Sequence, residues 1–476
     1  MAMKRVVIIG GGIAGLAAAY RLTQTAPDLA ITLIESDPRL GGKILTERTD
    51  GFIIEGGPDT FLSLKPRGLG LCRELGLENR LHGTNEKIRR TYVMRGNKLH
   101  ELPEGLTGLI PSRFGPMTKT GLISPLGKLR MGLDYLIPPR SLNGDESLAA
   151  FVKRRLGREL YDRLIEPLMG GIYAGDGEQL SLAATFPQLR QTELEHGGLI
   201  KGMLAAKKKA PPSKPGSKKW SAFLTPTTGL AEIVEALEAR LNGANAEIRC
   251  GTRVVGIEAA SPGYQARLES GESLPADAII FATPAFITAD LISNLDSQLS
   301  NTLGAIPYVA TATVSVAYPL ADIPRPLDGY GYIIPRAEER PILACTWTST
   351  KFPHRAPEGF GLIRAFVGRA GQEGALDVDD DDLLKLVRDE LRRALGITTP
   401  PVLHRIFRWP KAMPQYTLGH LDRLTVIDQR LAAHPGLFVA GNAYRGIGIP
   451  DCIASGEAAA DKARVFLNIL TERVPA

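Results

Sequence analysis

The chain has 476 residues, 44% hydrophobic and 23% charged, the balance of a soluble globular protein with room for two or three lobes. Its net charge of +6 comes from one acid-free segment holding Lys207, Lys208, Lys209, Lys214, Lys218 and Lys219; without them the 57 basic residues fall to 51, equal to the 51 acidic ones, which argues against a nucleic-acid-binding surface. No apolar run approaches the roughly 20 residues of a membrane-crossing helix, and the four cysteines and seven histidines lack both a disulfide framework and metal-ligand spacing, so no metal and a reducing cytoplasm are expected.

Arg5 to Ile9 is a β-branched run that feeds Gly10-x-Gly12-x-x-Gly15, with Gly11, Ile13 and Ala14 between. An Ala/Leu-rich helical segment follows, and a second apolar run, Ile31 to Ile34, ends on Glu35. This pattern predicts a βαβ unit for a dinucleotide. Gly10 makes the tight turn, Gly12 lets backbone N–H groups approach a pyrophosphate at the helix N-terminus, and Gly15 lets helix pack on strand. Glu35 is placed for a ribose 2′-hydroxyl. Lys4-Arg5 ahead of an apolar stretch to Ala17-Ala18-Ala19 imitates an export signal, but cleavage there would destroy the unit, so no export is expected.

Beyond Glu35, Ser36-Asp37-Pro38-Arg39-Leu40-Gly41-Gly42-Lys43 offers a cation and paired glycines to a second phosphate or a flavin ring. A hairpin turning at Thr49-Asp50-Gly51 precedes Gly56-Gly57-Pro58-Asp59-Thr60-Phe61, a departure from the plain strand–helix alternation of a nicotinamide dehydrogenase. A helix over Pro66–Leu77, a strand pair around Tyr92-Val93 and Lys98-Leu99, and a mainly helical stretch over 121–209, broken at Gly170–Asp176, come next. Strands within 246–283 resume the nucleotide lobe. Residues 302–408 are strand-rich, and Asp379-Asp380-Asp381-Asp382 opens a helix to Leu395, complementing its N-terminus rather than binding calcium.

The chain closes with a strand over Leu437–Gly441, a glycine turn and a helix from about Asp451 to Leu470 whose free N–H groups attract an anion. Aimed at a flavin's N1–C2=O edge, that terminus would stabilise the charge gained on reduction. An interrupted nucleotide lobe with two cofactor-binding ends points to FAD rather than NAD. The expected fold class is α/β plus α+β: a discontinuous Rossmann-like FAD-binding domain (1–85, 220–300 and 409–476), a mixed-sheet substrate domain (86–120 and 301–408), a helical insertion (121–209) and a flexible basic loop (207–219). That loop reads as a solvated excursion or as a tether to an anionic membrane surface or acidic partner.

Gly10 to Gly15, Arg39-Leu40-Gly41-Gly42-Lys43 and the closing glycine turn resemble the FAD-dependent amine oxidase superfamily. Within it, Gly56 to Phe61, Gly171-Ile172-Tyr173-Ala174-Gly175-Asp176, Met413-Pro414-Gln415-Tyr416 and Gly446-Ile447-Gly448-Ile449-Pro450-Asp451-Cys452-Ile453 resemble the porphyrinogen oxidases. Ala344-Cys345-Thr346-Trp347-Thr348 and Ile449-Pro450 are similar to the soluble Gram-positive enzymes that oxidise coproporphyrinogen III, while Asn442 stands where many flavoproteins carry an acid. The resemblance implies FAD on Gly10, Gly11, Gly12, Ile13, Ala14, Gly15, Glu35, Ser36, Arg39, Gly41, Gly42, Lys43, Gly57, Pro58, Asp59, Thr60, Val254, Trp409, Ile447, Gly448 and Ile449. Val254 reads equally as a core residue and Trp409 as flavin wall or core.

The implied reaction is oxidation of coproporphyrinogen III to coproporphyrin III, hydride passing from a meso carbon to flavin N5 and O₂ yielding H₂O₂. Protoporphyrinogen IX is the alternative substrate; an amine oxidase and a non-catalytic flavin-fold binding protein are remoter readings. Lys65 and Arg67 are the first candidates to meet the substrate's propionates, then Arg89, Arg90 and Arg95, each readable also as a solvated charge. No dedicated general base stands out. Expected partners are the tetrapyrrole, O₂ and a ferrochelatase-type acceptor of product, in the cytoplasm with at most peripheral contact at the inner membrane face.

Overall fold

The computed structural model describes residues 3–103, 106–107, 110–111, 114–140, 144–209 and 220–467. Five short segments, Ala246–Arg249, Ala30–Ile34, Arg5–Ile9, Ala278–Phe281 and Leu437–Val439, form a parallel sheet in that spatial order. Its central strands are buried on both faces, and for that reason they read as unbroken apolar runs. Val6, Ile8 and Ile280 face the helices Ile13–Thr25, Ala231–Asn242 and Ile449–Phe466; Val7, Ile9 and Phe281 face the antiparallel sheet Val254–Ala259, Tyr264–Leu268, Ser273–Ala276 and the helices beside it.

The alanines of the first helix have a packing reason. Helix Ile449–Phe466 lies so close to Ile13–Thr25 that a Cβ on Gly456 would stand 2.0 Å from the Ala14 carbonyl oxygen. Only small residues permit that approach.

A second, seven-stranded sheet runs Leu403–Pro414, Tyr308–Pro319, Phe360–Val367, Ile342–Trp347, Gly331–Ile333, Tyr92–Arg95, Lys98–Glu101. It is mixed: Gly331–Ile333 pairs parallel with Tyr92–Arg95, and the other pairs are antiparallel. Helix Asp380–Leu395 covers one face through Leu383, Val387, Leu391 and Leu395. Asp379 caps it, accepting from the Asp382 N–H at 2.9 Å, so the acidic run does serve a helix N-terminus.

Sequence reasoning missed the strand Leu403–Pro414. Pro410 hides it, because proline cannot donate to a ladder; it is tolerated on this edge strand beside a register slip between Val309 and Thr311. The strand runs through the boundary expected at 408/409 and puts Trp409 in the larger sheet.

Helices Pro125–Gly132, Leu148–Leu156, Glu166–Tyr173, Pro187–His196 and Leu199–Lys209 gather near a third core of Leu148, Phe151, Leu164, Met169 and Leu189. Fully buried Arg155 ties this region, bonding Asp134 at 2.6 Å. Lys207, Lys208 and Lys209, expected in the basic loop, belong to helix Leu199–Lys209, and 210–219 lies outside the described residues. Among the described residues no helix is long and apolar enough to cross a membrane, and no three His, Cys, Asp or Glu side chains are grouped to hold a metal.

Candidate active site

Three backbone features meet at the C-terminal edge of the parallel sheet. At the first, Gly10 turns with φ 106°, and a Cβ there would come 2.9 Å from the Ala282 carbonyl. Gly12 starts the helix in extended geometry with no side-chain cap, and a Cβ on it would meet nothing within 4 Å. The opening helical N–H groups of Ile13 and Ala14 therefore border open space with no acidic side chain in the first turn, a ready anion site. Glu35 is oriented by the same turn: its Oε2 accepts from the Gly11 N–H at 2.7 Å, its Oε1 from the Asp37 N–H at 2.9 Å and the Ser36 hydroxyl at 3.1 Å. Carboxylate oxygens have lone pairs left for a ribose hydroxyl.

The second feature is the turn Gly41-Gly42-Lys43, laid on the first by the Gly41 N–H donating to the Gly11 carbonyl at 2.9 Å. Arg39 donates into its own turn, to the carbonyls of Gly42 (2.7 Å), Leu40 (3.1 Å) and Ile44 (3.2 Å), so it shapes the cradle. The Lys43 ammonium has no ion-pair partner among the described residues, and burial pulls its pKa down against a small opposing influence of Cys452. A desolvated cation without a carboxylate suits an anionic ligand.

The Gly56–Thr60 loop packs on this turn: a Cβ on Gly57 would lie 1.8 Å from the Lys43 carbonyl oxygen. The seven-stranded sheet fixes the loop from behind. The Gly56 carbonyl accepts from the Trp409 indole at 2.9 Å and the Thr313 hydroxyl at 3.0 Å, and the Gly57 carbonyl accepts from Arg364. Lys351 pairs with Asp59 at 3.1 Å; Arg355 reaches the Asp59 carbonyl at 3.1 Å and Glu55 at 2.9 Å. Burial alone would raise the Asp59 pKa, but Lys351, Arg364 and Arg355 outweigh it and hold the carboxyl well below its usual range. Sequence reasoning missed Lys351, Arg355 and Arg364; the one available signal was a lone arginine inside the apolar run Phe360–Val367.

The third feature is the closing glycine turn. Gly448 caps helix Ile449–Phe466, and Asp451 accepts from the Gly448 N–H at 3.2 Å and from Lys65 at 2.5 Å. The Tyr416 hydroxyl donates to the Asn442 carbonyl at 2.7 Å and accepts from the Gly446 N–H at 2.8 Å. Its ring stacks on His420 at 4.2 Å, and Gln415 donates to the Tyr173 carbonyl at 2.9 Å. The motifs at 171–176, 413–416 and 446–453 thus converge in one bonded cluster, with Ile447 partly buried on the helical core and Ile449 in the core below the parallel sheet. Val254 sits on the opposite side of that sheet, buried at the start of its strand.

The cations named for propionates all have acceptors within the protein. Arg67 bonds Glu457 at 2.6 Å and Glu74 at 2.9 Å, and Lys65 bonds Asp451; both border the closing helix. Arg89 lies 3.4 Å from Glu86, Arg90 is 3.0 Å from Asp328, and Arg95 donates to the Gly121 carbonyl at 3.0 Å, around the far strand pair of the larger sheet.

A helix N-terminus without a side-chain cap at Gly12, a glycine-lined approach, an oriented carboxylate and a half-buried ammonium without an ion-pair partner among the described residues fit a dinucleotide with a pyrophosphate at its middle, and FAD is the cofactor. Residues 13–464 match the family model described as flavin containing amine oxidoreductase. Coproporphyrinogen III oxidase of Bacillus subtilis (strain 168) is 39% identical over 471 residues, covering 98% of each chain. Protoporphyrinogen oxidase of Homo sapiens is 32% identical over 479 residues, covering 96% of this chain and 98% of its own. The crystal structure of a protein from Exiguobacterium sp. 255-15, provisionally named a protoporphyrinogen oxidase, superposes with a TM-score of 0.85 at 34% identity, covering 98% of this chain and all of that one. The chain is thus an FAD-dependent oxidoreductase that belongs to the flavin containing amine oxidoreductase family, closely related to its bacterial coproporphyrinogen and protoporphyrinogen oxidases.

Proposed function

We propose that this enzyme oxidises a porphyrinogen to the corresponding porphyrin with O₂ as final acceptor, and that coproporphyrinogen III is its substrate. The carrying observation is the bonded convergence of Tyr173, Gln415, Tyr416 and the closing turn at the end of helix Ile449–Phe466. In this reading the parallel-sheet unit holds FAD, and the larger sheet with the helices of 121–209 holds the tetrapyrrole. Held there, FAD would supply the hydride acceptor and the route for electrons to O₂. The chain's own residues hold the Gly56–Thr60 loop and the closing turn rigid and keep water out, so positioning does most of the work and no general base is invoked.

The choice of coproporphyrinogen III leans on the Bacillus subtilis relative, more identical than the human one. Protoporphyrinogen IX is the second reading, and one observation favours it: each candidate cation is already matched inside the protein, which suits the substrate with two propionates better than the one with four. The Exiguobacterium protein's provisional name points the same way. Anaerobic stopped-flow bleaching of the flavin by each porphyrinogen tests both. Faster bleaching by coproporphyrinogen III is expected, faster bleaching by protoporphyrinogen IX assigns the second reading, and none by either overturns the function.

Delivery of product to a ferrochelatase-type partner and peripheral membrane contact belong to the same proposal. The exposed Leu126, Leu129, Leu133 and Leu136, spaced along one helical face, supply an apolar surface for such contact. Cosedimentation with anionic phospholipid vesicles is expected, and its absence would remove that element.

A further inference from the structure

Beneath the Gly56–Thr60 loop lies a group of five ionisable side chains that the reaction chemistry does not use. Lys351, Arg355 and Arg364 meet two carboxylates, Glu55 and Asp59. Burial pushes the pKa of the Glu55 carboxyl up, but both its oxygens accept hydrogen bonds, from Arg355, the Leu230 N–H and the Thr46 hydroxyl, and with Glu55 ionised the group carries one positive charge more than it neutralises. It is dry. Arg355, Arg364 and Glu55 are each at most 3% exposed, and the space between them is too tight for a water molecule. The Nε atoms of Arg355 and Arg364 have no hydrogen-bond acceptor among the described residues, an expensive state for buried guanidinium groups. The other end of Arg364 holds the Gly57 carbonyl, and Gly57 rests on Lys43 of the phosphate-side turn. The surplus charge is thereby fixed against one wall of the cofactor site.

We infer that Arg364 is a positioning residue that sets the loop against the cofactor and, through the surplus charge of its cluster, stabilises FAD in its reduced, negatively charged form. Weakly screened, a unit charge on the order of 12 Å from the one gained on reduction favours binding of the reduced over the oxidised form by about tenfold at an effective dielectric constant near 20. This rests on the FAD assignment alone, not on which porphyrinogen is consumed.

The test is the two-electron midpoint potential of the bound flavin, read by spectroelectrochemical titration of the holoenzyme without any substrate. Arg364→Met, similar in length but neutral, is expected to lower the potential by about 30 mV, the equivalent of tenfold for two electrons. Glu55→Gln, which removes a negative charge from the same cluster, is expected to raise it. Arg364→Lys should keep the potential near wild type while weakening FAD retention, since it preserves the charge and loses the guanidinium fork. Opposite shifts are the signature, because a merely structural cluster would loosen FAD in every variant without giving the potential a sign. An unchanged potential in Arg364→Met overturns the inference; should that variant not take up FAD, an unchanged or lowered potential in Glu55→Gln overturns it instead. A failure of porphyrinogen to bleach the flavin leaves these shifts measurable, so the two readings fail separately.

Discussion

At Gly57 one methyl group decides whether two turns can touch. The overlap it would make is with the Lys43 backbone carbonyl at 1.8 Å, and no side-chain rotation relieves it. Gly57→Ala must displace the loop or the Gly41–Lys43 turn at a cost of roughly 1–3 kcal/mol. It is expected to purify largely without flavin, read from the ratio of flavin to protein absorbance; a fully loaded Gly57→Ala protein would contradict the close packing. His420 argues from charge. Burial chiefly, with Arg423 and Arg445, outweighs the Tyr444 carbonyl and pulls its pKa down to about 4. The unfolded chain therefore binds the proton first. This contribution to stability is whole above about pH 6.5 and is lost as pH falls towards 4, amounting to roughly 3 kcal/mol in all. Urea unfolding at about pH 7 and about pH 4.5 should show a steeper loss for the wild type than for His420→Gln; equal losses would mean that the imidazole does not resist protonation.

Helix Asp380–Leu395 shows what an element owes to its first residue. Asp379→Ala removes the acceptor of the Asp382 N–H, and the urea midpoint should drop by the equivalent of about 1 kcal/mol with the flavin spectrum unaltered. This helix was legible because its cap, apolar spacing and the αL glycine that stops it, Gly396, are all local. The first βαβ unit was legible for the same reason. Leu403–Pro414 was not: its partner strand begins almost a hundred residues earlier, and Pro410 reads locally as a break. Arg39 shows the same limit within a turn, since the sequence displays a cation beside paired glycines but not that its guanidinium closes on their own carbonyls.

Across the whole molecule, what could be read was local: the glycine spacing at the first turn, the place of Glu35 at the end of the next strand and the start of the closing helix. What could not be read is how the stretches are locked together. Lys351 and Asp59 stand 292 positions apart, and Arg364 and Gly57 stand 307 apart, so no window of sequence holds both members. Lys65 and Arg67 were visible as cations, while Asp451 and Glu457, which face them, come from a helix nearly four hundred positions on.

The order of the parallel sheet has its own consequence during synthesis. Arg5–Ile9 is made first yet lies in the middle, flanked by Ala278–Phe281, with Leu437–Val439 beyond. At ribosomal speeds the last strand emerges roughly 20 to 90 s after the first. Until then the nascent polypeptide has an unsealed apolar edge, and the wall that the closing turn adds to the cofactor site has yet to be made.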